Sequence, residues 1–209
     1  KNAAVVLRDA DLDLAAEQVL LGAFRSTGQK CTATSRLIVD EAVADDFLDR
    51  LRARLDDWVT GDPVDDGVHM GPLVNAAAAE SVSAGVEAAL AEGAELAYQG
   101  KAPGRADPDG GFFLPPTVLE LPGDPAAGAV NTAWREEFFG PVLSMRRAAG
   151  AGQAFELANQ SEFGLSAAVF TQDVTRVLDA VDRLDVGILH VNSESAGADP
   201  HVPFGGARK

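Results

Sequence analysis

Only one cysteine occurs in 209 residues. An intramolecular disulfide is excluded, and a lone thiol suits a reducing compartment, so a cytoplasmic location is expected. Long apolar runs are absent too. No segment approaches the unbroken length of a membrane-crossing helix, and no basic stretch leads into an apolar one at the start, so neither a membrane partner nor a secretory leader is expected. Basic residues are few: 17 against 32 acidic ones, for a net charge of −15. A field of that sign repels nucleic acid and anionic lipid, and otherwise serves solubility. There is no internal repeat and no low-complexity tract. None of the three histidines stands in a sequence signature of a Cys–His pair. No metal site is expected.

What remains is ordinary globular material, 46% hydrophobic and 23% charged, of a length that fits one domain or two small ones. Two periods alternate along it. AAVVL (3–7) reads as a buried strand, with Asp9 and Asp11 as N-cap carboxylates behind it. Leu12, Ala16, Val19, Leu20, Ala23 and Phe24 then recur at helical spacing, and Gly28 is the expected stop. SRLIVD reads as a strand, and Phe47, Leu48, Leu51, Leu55 and Trp58 as a helical stripe. A third helix is marked by Val82, Val86, Ala89 and Leu90, and a short strand by AELAY. TGDPVDDG and KAPGRADPDGG read as loops. FFLPPTVLEL must be extended, because Pro115 and Pro116 forbid a helix. PVLSM, LSAAVFT and GILHVN are further strands, with helices over AGQAFELAN and 174–184 between them. This alternation implies an α/β fold with a mostly parallel sheet and helices on both faces. Sites in such sheets generally lie beyond the carboxyl ends of the strands. The joins from helix to strand are also worth reading, because Cys31 lies in one.

A solitary cysteine is most often a small buried hydrophobe. Its neighbours here argue for chemistry. Gly28, Thr32 and Ala33 are small enough for backbone to approach a ligand, and an ammonium at Lys30 beside the sulfur would favour the thiolate. The local residues leave both readings open.

The stretch FRSTGQKCTATSR (24–36) resembles the cysteine motif of the aldehyde dehydrogenase superfamily. Further matches follow in the family's order: MGPLVN, GFFLPPTVL, REEFFGPVL, ANQSEFGLSAAVFT (with Phe163 where the family has tyrosine) and PFGGARK. The opening KNAAVVLRDADLDLA resembles the segment just after the family's E-L-G-G. The resemblance covers the whole chain and implies that 1–209 is the cysteine-bearing catalytic domain. It also implies that the E-L-G-G glutamate, the cofactor-binding domain with its oxyanion asparagine, and the C-terminal oligomerisation tail lie outside this sequence. The chain alone is then expected to bind NAD weakly or not at all and not to turn over an aldehyde. The complete protein is expected to be a homo-oligomer.

The implied reaction is oxidation of a small aldehyde to its acid with NAD or NADP, held mainly by the other domain. Cys31 would be the nucleophile, forming a thiohemiacetal and then a thioester. Glu137 matches the residue accepting hydrogen bonds from the nicotinamide ribose, and Phe139 the aromatic beside it. Read without the family, the Glu136–Glu137 pair is a solvated helix end and Phe139 is core. Asn192 matches an asparagine near the substrate channel, or else bonds backbone at its strand end. Arg25, six residues before Cys31, matches an arginine that binds the distal carboxylate in semialdehyde dehydrogenases; otherwise it is a surface charge. The cysteine motif and the AGADPHVPFGG loop most resemble the 2-oxoglutarate semialdehyde branch, although SESAGAD departs from that branch's P-T-A-G-V-D. A succinate semialdehyde or broad aliphatic aldehyde dehydrogenase, and a non-catalytic interaction module, are the alternatives.

Overall fold

A computed structural model describes residues 1–103, 111–197 and 200–208. Parts of two loops read from the sequence, at 104–110 and 198–199, lie outside the described residues. Seven strands form one sheet: β1 (Asn2–Val6), β2 (Thr34–Asp40), β3 (Glu95–Gln99), β4 (Thr117–Glu120), β5 (Val142–Ala148), β6 (Ser166–Phe170) and β7 (Ile188–Val191), in the order β3-β4-β5-β2-β1-β6-β7. Every neighbouring pair is parallel except β3 with β4. The mostly parallel sheet is as expected. The antiparallel edge arises where the chain returns through the proline segment. Pro115 and Pro116 lack N–H donors for a ladder, and β4 begins only after them.

Alternate strand residues point to opposite faces and build two cores. On one face Ala4, Val6, Leu37 and Val39 pack with helices α1 (Leu12–Phe24) and α2 (Ala44–Asp56). On the other, Ala3, Val5, Ile38 and Val169 pack with α3 (Ala76–Ala91), α6 (Ala151–Asn159) and α7 (Val174–Arg183). Two short helices, α4 (Pro125–Val130) and α5 (Thr132–Arg135), were not legible as periodic segments. They are too short to show a stripe. α5 is held by Asn131, a buried N-cap that accepts from the Ala133 N–H and donates to the Ala89 carbonyl. It carries Trp134 into the core, where the guanidinium groups of Arg36 and Arg146 lie 5.0 and 5.3 Å from the ring.

The two carboxylates ahead of α1 divide their work. Asp11 is the N-cap, accepting at 3.1 Å from the N–H groups of Asp13 and Leu14. Asp9 instead binds the Thr171 hydroxyl at 2.7 Å and the Gln172 N–H at 2.8 Å, and these bonds hold its carboxyl below the usual range against the opposing effect of burial. It fastens the carboxyl end of β6 to that of β1. Replacing Asp11 with Ala is expected to cost about 1 kcal/mol, read as a lower urea midpoint at unchanged slope.

Candidate active site

Cys31 is exposed and lies at the amino end of β2. The starts of β1, β5 and β6 lie along the same edge, because these strands run parallel. The expectation that a site in such a sheet lies at the carboxyl ends does not hold for this cysteine. The site is built from joins that lead into strands.

The approach to Cys31 is conformationally unusual. α1 ends at Phe24, four residues before the expected stop, and Arg25 caps it with an extended backbone. Ser26, Thr27 and Gly28 are all left-handed, with φ of 56°, 59° and 66°. For Ser and Thr this conformation costs on the order of 1–2 kcal/mol each, so the surroundings must hold it. They do so through the other motif segments. The Thr27 hydroxyl donates to the Gly71 carbonyl at 3.1 Å, and the Val74 N–H donates to the Gln29 side-chain oxygen at 3.0 Å. MGPLVN is therefore a brace for the cysteine turn. Gly28 lies against the Phe139–Gly140–Pro141 bend, and a Cβ there would come within 2.3 Å of the Gly140 carbonyl oxygen. Only glycine satisfies both the positive φ and this approach.

After the turn the loop is clasped by Asn2. Its carboxamide N–H groups donate to the carbonyls of Cys31 at 2.8 Å and Ala33 at 2.9 Å, while its oxygen accepts from the Ser166 N–H at 3.1 Å. A second clasp comes from Ser195. Its hydroxyl has one proton, which goes to the Thr32 carbonyl at 3.0 Å, so at 2.7 Å the Thr34 hydroxyl is the donor to it. Ser166 in turn donates to the Ser195 carbonyl at 3.2 Å. Among the described residues the Cys31 N–H has no acceptor. The thiol and this free donor thus sit together on a rigid support.

Glu137, Phe139, Gly28 and Lys30 line one cleft beside the loop, with room within the chain for about one water at most. It is a wall rather than an enclosed pocket. Phe139 is 45% exposed and has φ 52°, so it is presented to solvent rather than packed as core. Glu137 has a partly exposed side chain. Burial lowers the Lys1 side-chain ammonium to about 7, aided by the Arg36 charge and opposed by Glu137 and Glu136.

Two expected substrate residues have partners of their own. Arg25 donates to Glu194 at 3.2 Å. Asn192 lies beyond the carboxyl end of β7, where its side chain accepts from the Thr171 N–H and donates to the Thr171 carbonyl, both at 3.0 Å. The five residues of β6, at about 3.3 Å each, separate that end of the sheet from the Cys31 edge. Asn192 is therefore not brought to the cysteine; it ties the ends of β6 and β7 together.

Asn2, Ser195 and Arg36 were not singled out from the sequence. Arg36 is buried, and burial lowers its guanidinium to about 9, the Arg208 charge adding to the effect. It binds the carbonyls of Lys1, Leu157, Ala158 and Gln160, which joins the start of β1 to the carbonyl-rich end of α6. The available signals were polar residues in apolar strands: arginine in SRLIV and asparagine before AAVV. Replacing Asn2 with Ala should leave the Cys31, Ala33 and Ser166 backbone groups unpartnered. A loss of about 2–4 kcal/mol in urea unfolding is expected, whereas no loss would remove Asn2 from the clasp.

The aldehyde dehydrogenase family profile matches residues 1–209. Alpha-ketoglutaric semialdehyde dehydrogenase of Bacillus subtilis is 37% identical over 209 residues, which is all of this chain and 42% of that protein. Betaine aldehyde dehydrogenase of Rhizobium etli is 40% identical over the same 209 residues, again 42% of its length. Among solved structures, Staphylococcus aureus betaine aldehyde dehydrogenase in complex with NAD+ superposes with a TM-score of 0.91 at 31% identity, covering 99% of this chain and 40% of that one. The glyceraldehyde-3-phosphate dehydrogenase of Methanocaldococcus jannaschii, complexed with NADP, gives a TM-score of 0.88 at 31% identity, over 99% and 42%. The chain thus spans about two-fifths of the length of these relatives. Matched from end to end in sequence and fold, it belongs to the aldehyde dehydrogenase family.

Proposed function

We propose that residues 1–209 are the cysteine-bearing catalytic domain of an NAD(P)-dependent aldehyde dehydrogenase, with 2-oxoglutarate semialdehyde as substrate. The observation that carries the chemistry is the exposed Cys31 thiol on a braced turn, with a backbone N–H that has no acceptor among the described residues. The substrate reading rests on the Bacillus subtilis relative and on a guanidinium at position 25. A broader aliphatic specificity is the second reading. It is favoured by the Glu194 carboxylate that already pairs with Arg25 and by the different aldehydes named for the relatives.

The Cys31 thiolate attacks the aldehyde carbon. Negative charge then develops on the aldehyde oxygen, and the Cys31 N–H is the donor this chain offers to it; losing one such donor costs on the order of a hundredfold or more. NAD(P), when bound, supplies a hydride acceptor. Glu137 would accept hydrogen bonds from its ribose hydroxyls, and exposed Phe139 would provide an apolar wall. Both line the cleft next to the cysteine loop, and a carboxylate beside an exposed aromatic suits a ribose by its chemistry. The acyl group remains on Cys31 as a thioester until water removes it. Sulfur serves both steps because a thiolate attacks well and also leaves well.

Cys31→Ala, made in the complete open reading frame that encodes this chain, is expected to reduce aldehyde-dependent NAD(P) reduction to background. Retained turnover would rule Cys31 out as the nucleophile. A substrate panel on the parent protein then ranks the semialdehydes against uncharged aldehydes.

A further inference from the structure

The Arg25–Glu194 pair joins residues 169 positions apart at the cysteine loop. Arg25 caps α1 directly before the left-handed turn, and its side chain is half-exposed. Glu194 is more enclosed, with its side chain 16% exposed. One of its oxygens, Oε1, meets Arg25, while Oε2 is buried and has no hydrogen-bond partner among the described residues. Buried carboxylate oxygens are seldom left this way, and an exception calls for an explanation. Chance mobility does not supply one, because the backbone here is fixed on both sides. The Glu194 N–H donates to Gln18 at 3.1 Å, and the next residue, Ser195, is fastened to Thr32 and Thr34. The Glu194 Cβ also lies close to Gly22, where a methyl group would come within 3.4 Å of it. The carboxylate is thus held against Arg25 one residue away from the clasp on the cysteine loop.

A guanidinium offers a planar fork suited to a carboxylate. Glu194 presents that ligand from within the protein, at the place where the proposed reading puts the distal carboxylate of the substrate. We infer that Glu194 is a specificity-determining residue that occupies Arg25 as an internal substitute for the substrate carboxylate, so that an anionic aldehyde must compete with it for the guanidinium. This rests on the proposed reading that Arg25 faces the substrate. It predicts that Glu194 holds down activity on carboxylate-bearing aldehydes in particular. The effect should be moderate, because a half-exposed arginine is screened by water.

The test uses the complete protein as parent, Glu194→Gln, Arg25→Met and the double variant. Each is assayed with 2-oxoglutarate semialdehyde and with an uncharged aldehyde of similar length. The readout is the ratio of kcat/KM for the two substrates, with kcat and KM resolved separately and the thermal midpoint recorded for each variant. Glu194→Gln is expected to raise the ratio about three- to tenfold, through a lower KM for the semialdehyde. Arg25→Met should lower the ratio about ten- to a hundredfold, a charged hydrogen bond's worth. In the double variant the gain from Glu194→Gln should vanish. A lower ratio in Arg25→Met with no rise in Glu194→Gln would overturn the competition and leave the carboxylate reading standing. No change in either variant would overturn both. An equal loss on both aldehydes in Glu194→Gln, with a lower thermal midpoint, would show that the pair supports the loop and would overturn the competition. A gain that persists in the double variant would likewise overturn it, because the gain would not pass through Arg25.

Discussion

The carboxamide of Asn2 bonds three segments that are far apart in sequence: the Cys31 loop through two carbonyls, β6 through the Ser166 N–H, and β1, which carries it. It does so at the one edge of the sheet where parallel strands begin together. A cysteine loop leaving a helix through consecutive left-handed residues has little local reason to hold one shape. Its carbonyls need donors, and β1 brings them in because it lies between β2 and β6. The remaining supports add to this clasp. Ser195 fixes Thr32, Thr27 is held by Gly71, Gln29 accepts from Val74, and Gly28 lets the Gly140 bend close against the turn. Preorganisation of this kind lets a nucleophile and a donor meet a substrate without rearranging first.

The secondary structure was legible where the physics is local. AAVVL, SRLIVD and LSAAVFT are short, rich in β-branched or small apolar residues and bounded by turn formers, and each overlaps a strand along most of its length. The period of 3.6 found α1, α2, α3, α6 and α7, with α6 over the same residues as read. The failures have local causes as well. α4 and α5 are shorter than two turns, and α1 stops early because Arg25 turns extended and Ser26 and Thr27 turn left-handed, which no sequence period signals.

Site legibility divides along the same line. Cys31 stood out because it is solitary and embedded in a motif, and Glu137 and Phe139 line a cleft beside its loop. What the sequence could not show was partnership across long separations. Arg25 reads as a free cation until Glu194 is found beside it. Asn192 reads either as a channel residue or as one that bonds backbone at its strand end, and only the topology identifies that backbone as Thr171. Arg36 and Asn2 pass unremarked in apolar strands, and their roles depend on which segments the sheet order makes neighbours. The motifs GPL and FGP, read as landmarks, have a physical purpose in bracing the cysteine turn.

The central claim is that Cys31 carries the acyl group. The most direct measurement is mass spectrometry of the complete protein, quenched with acid during turnover of an aldehyde with NAD(P) and then digested. The account predicts an acyl adduct, labile to hydroxylamine as a thioester must be, on the peptide containing Cys31 and nowhere else. Steady turnover with an acyl adduct on another residue, or with Cys31 unmodified at every quench time while product accumulates through a different trapped intermediate, would contradict it.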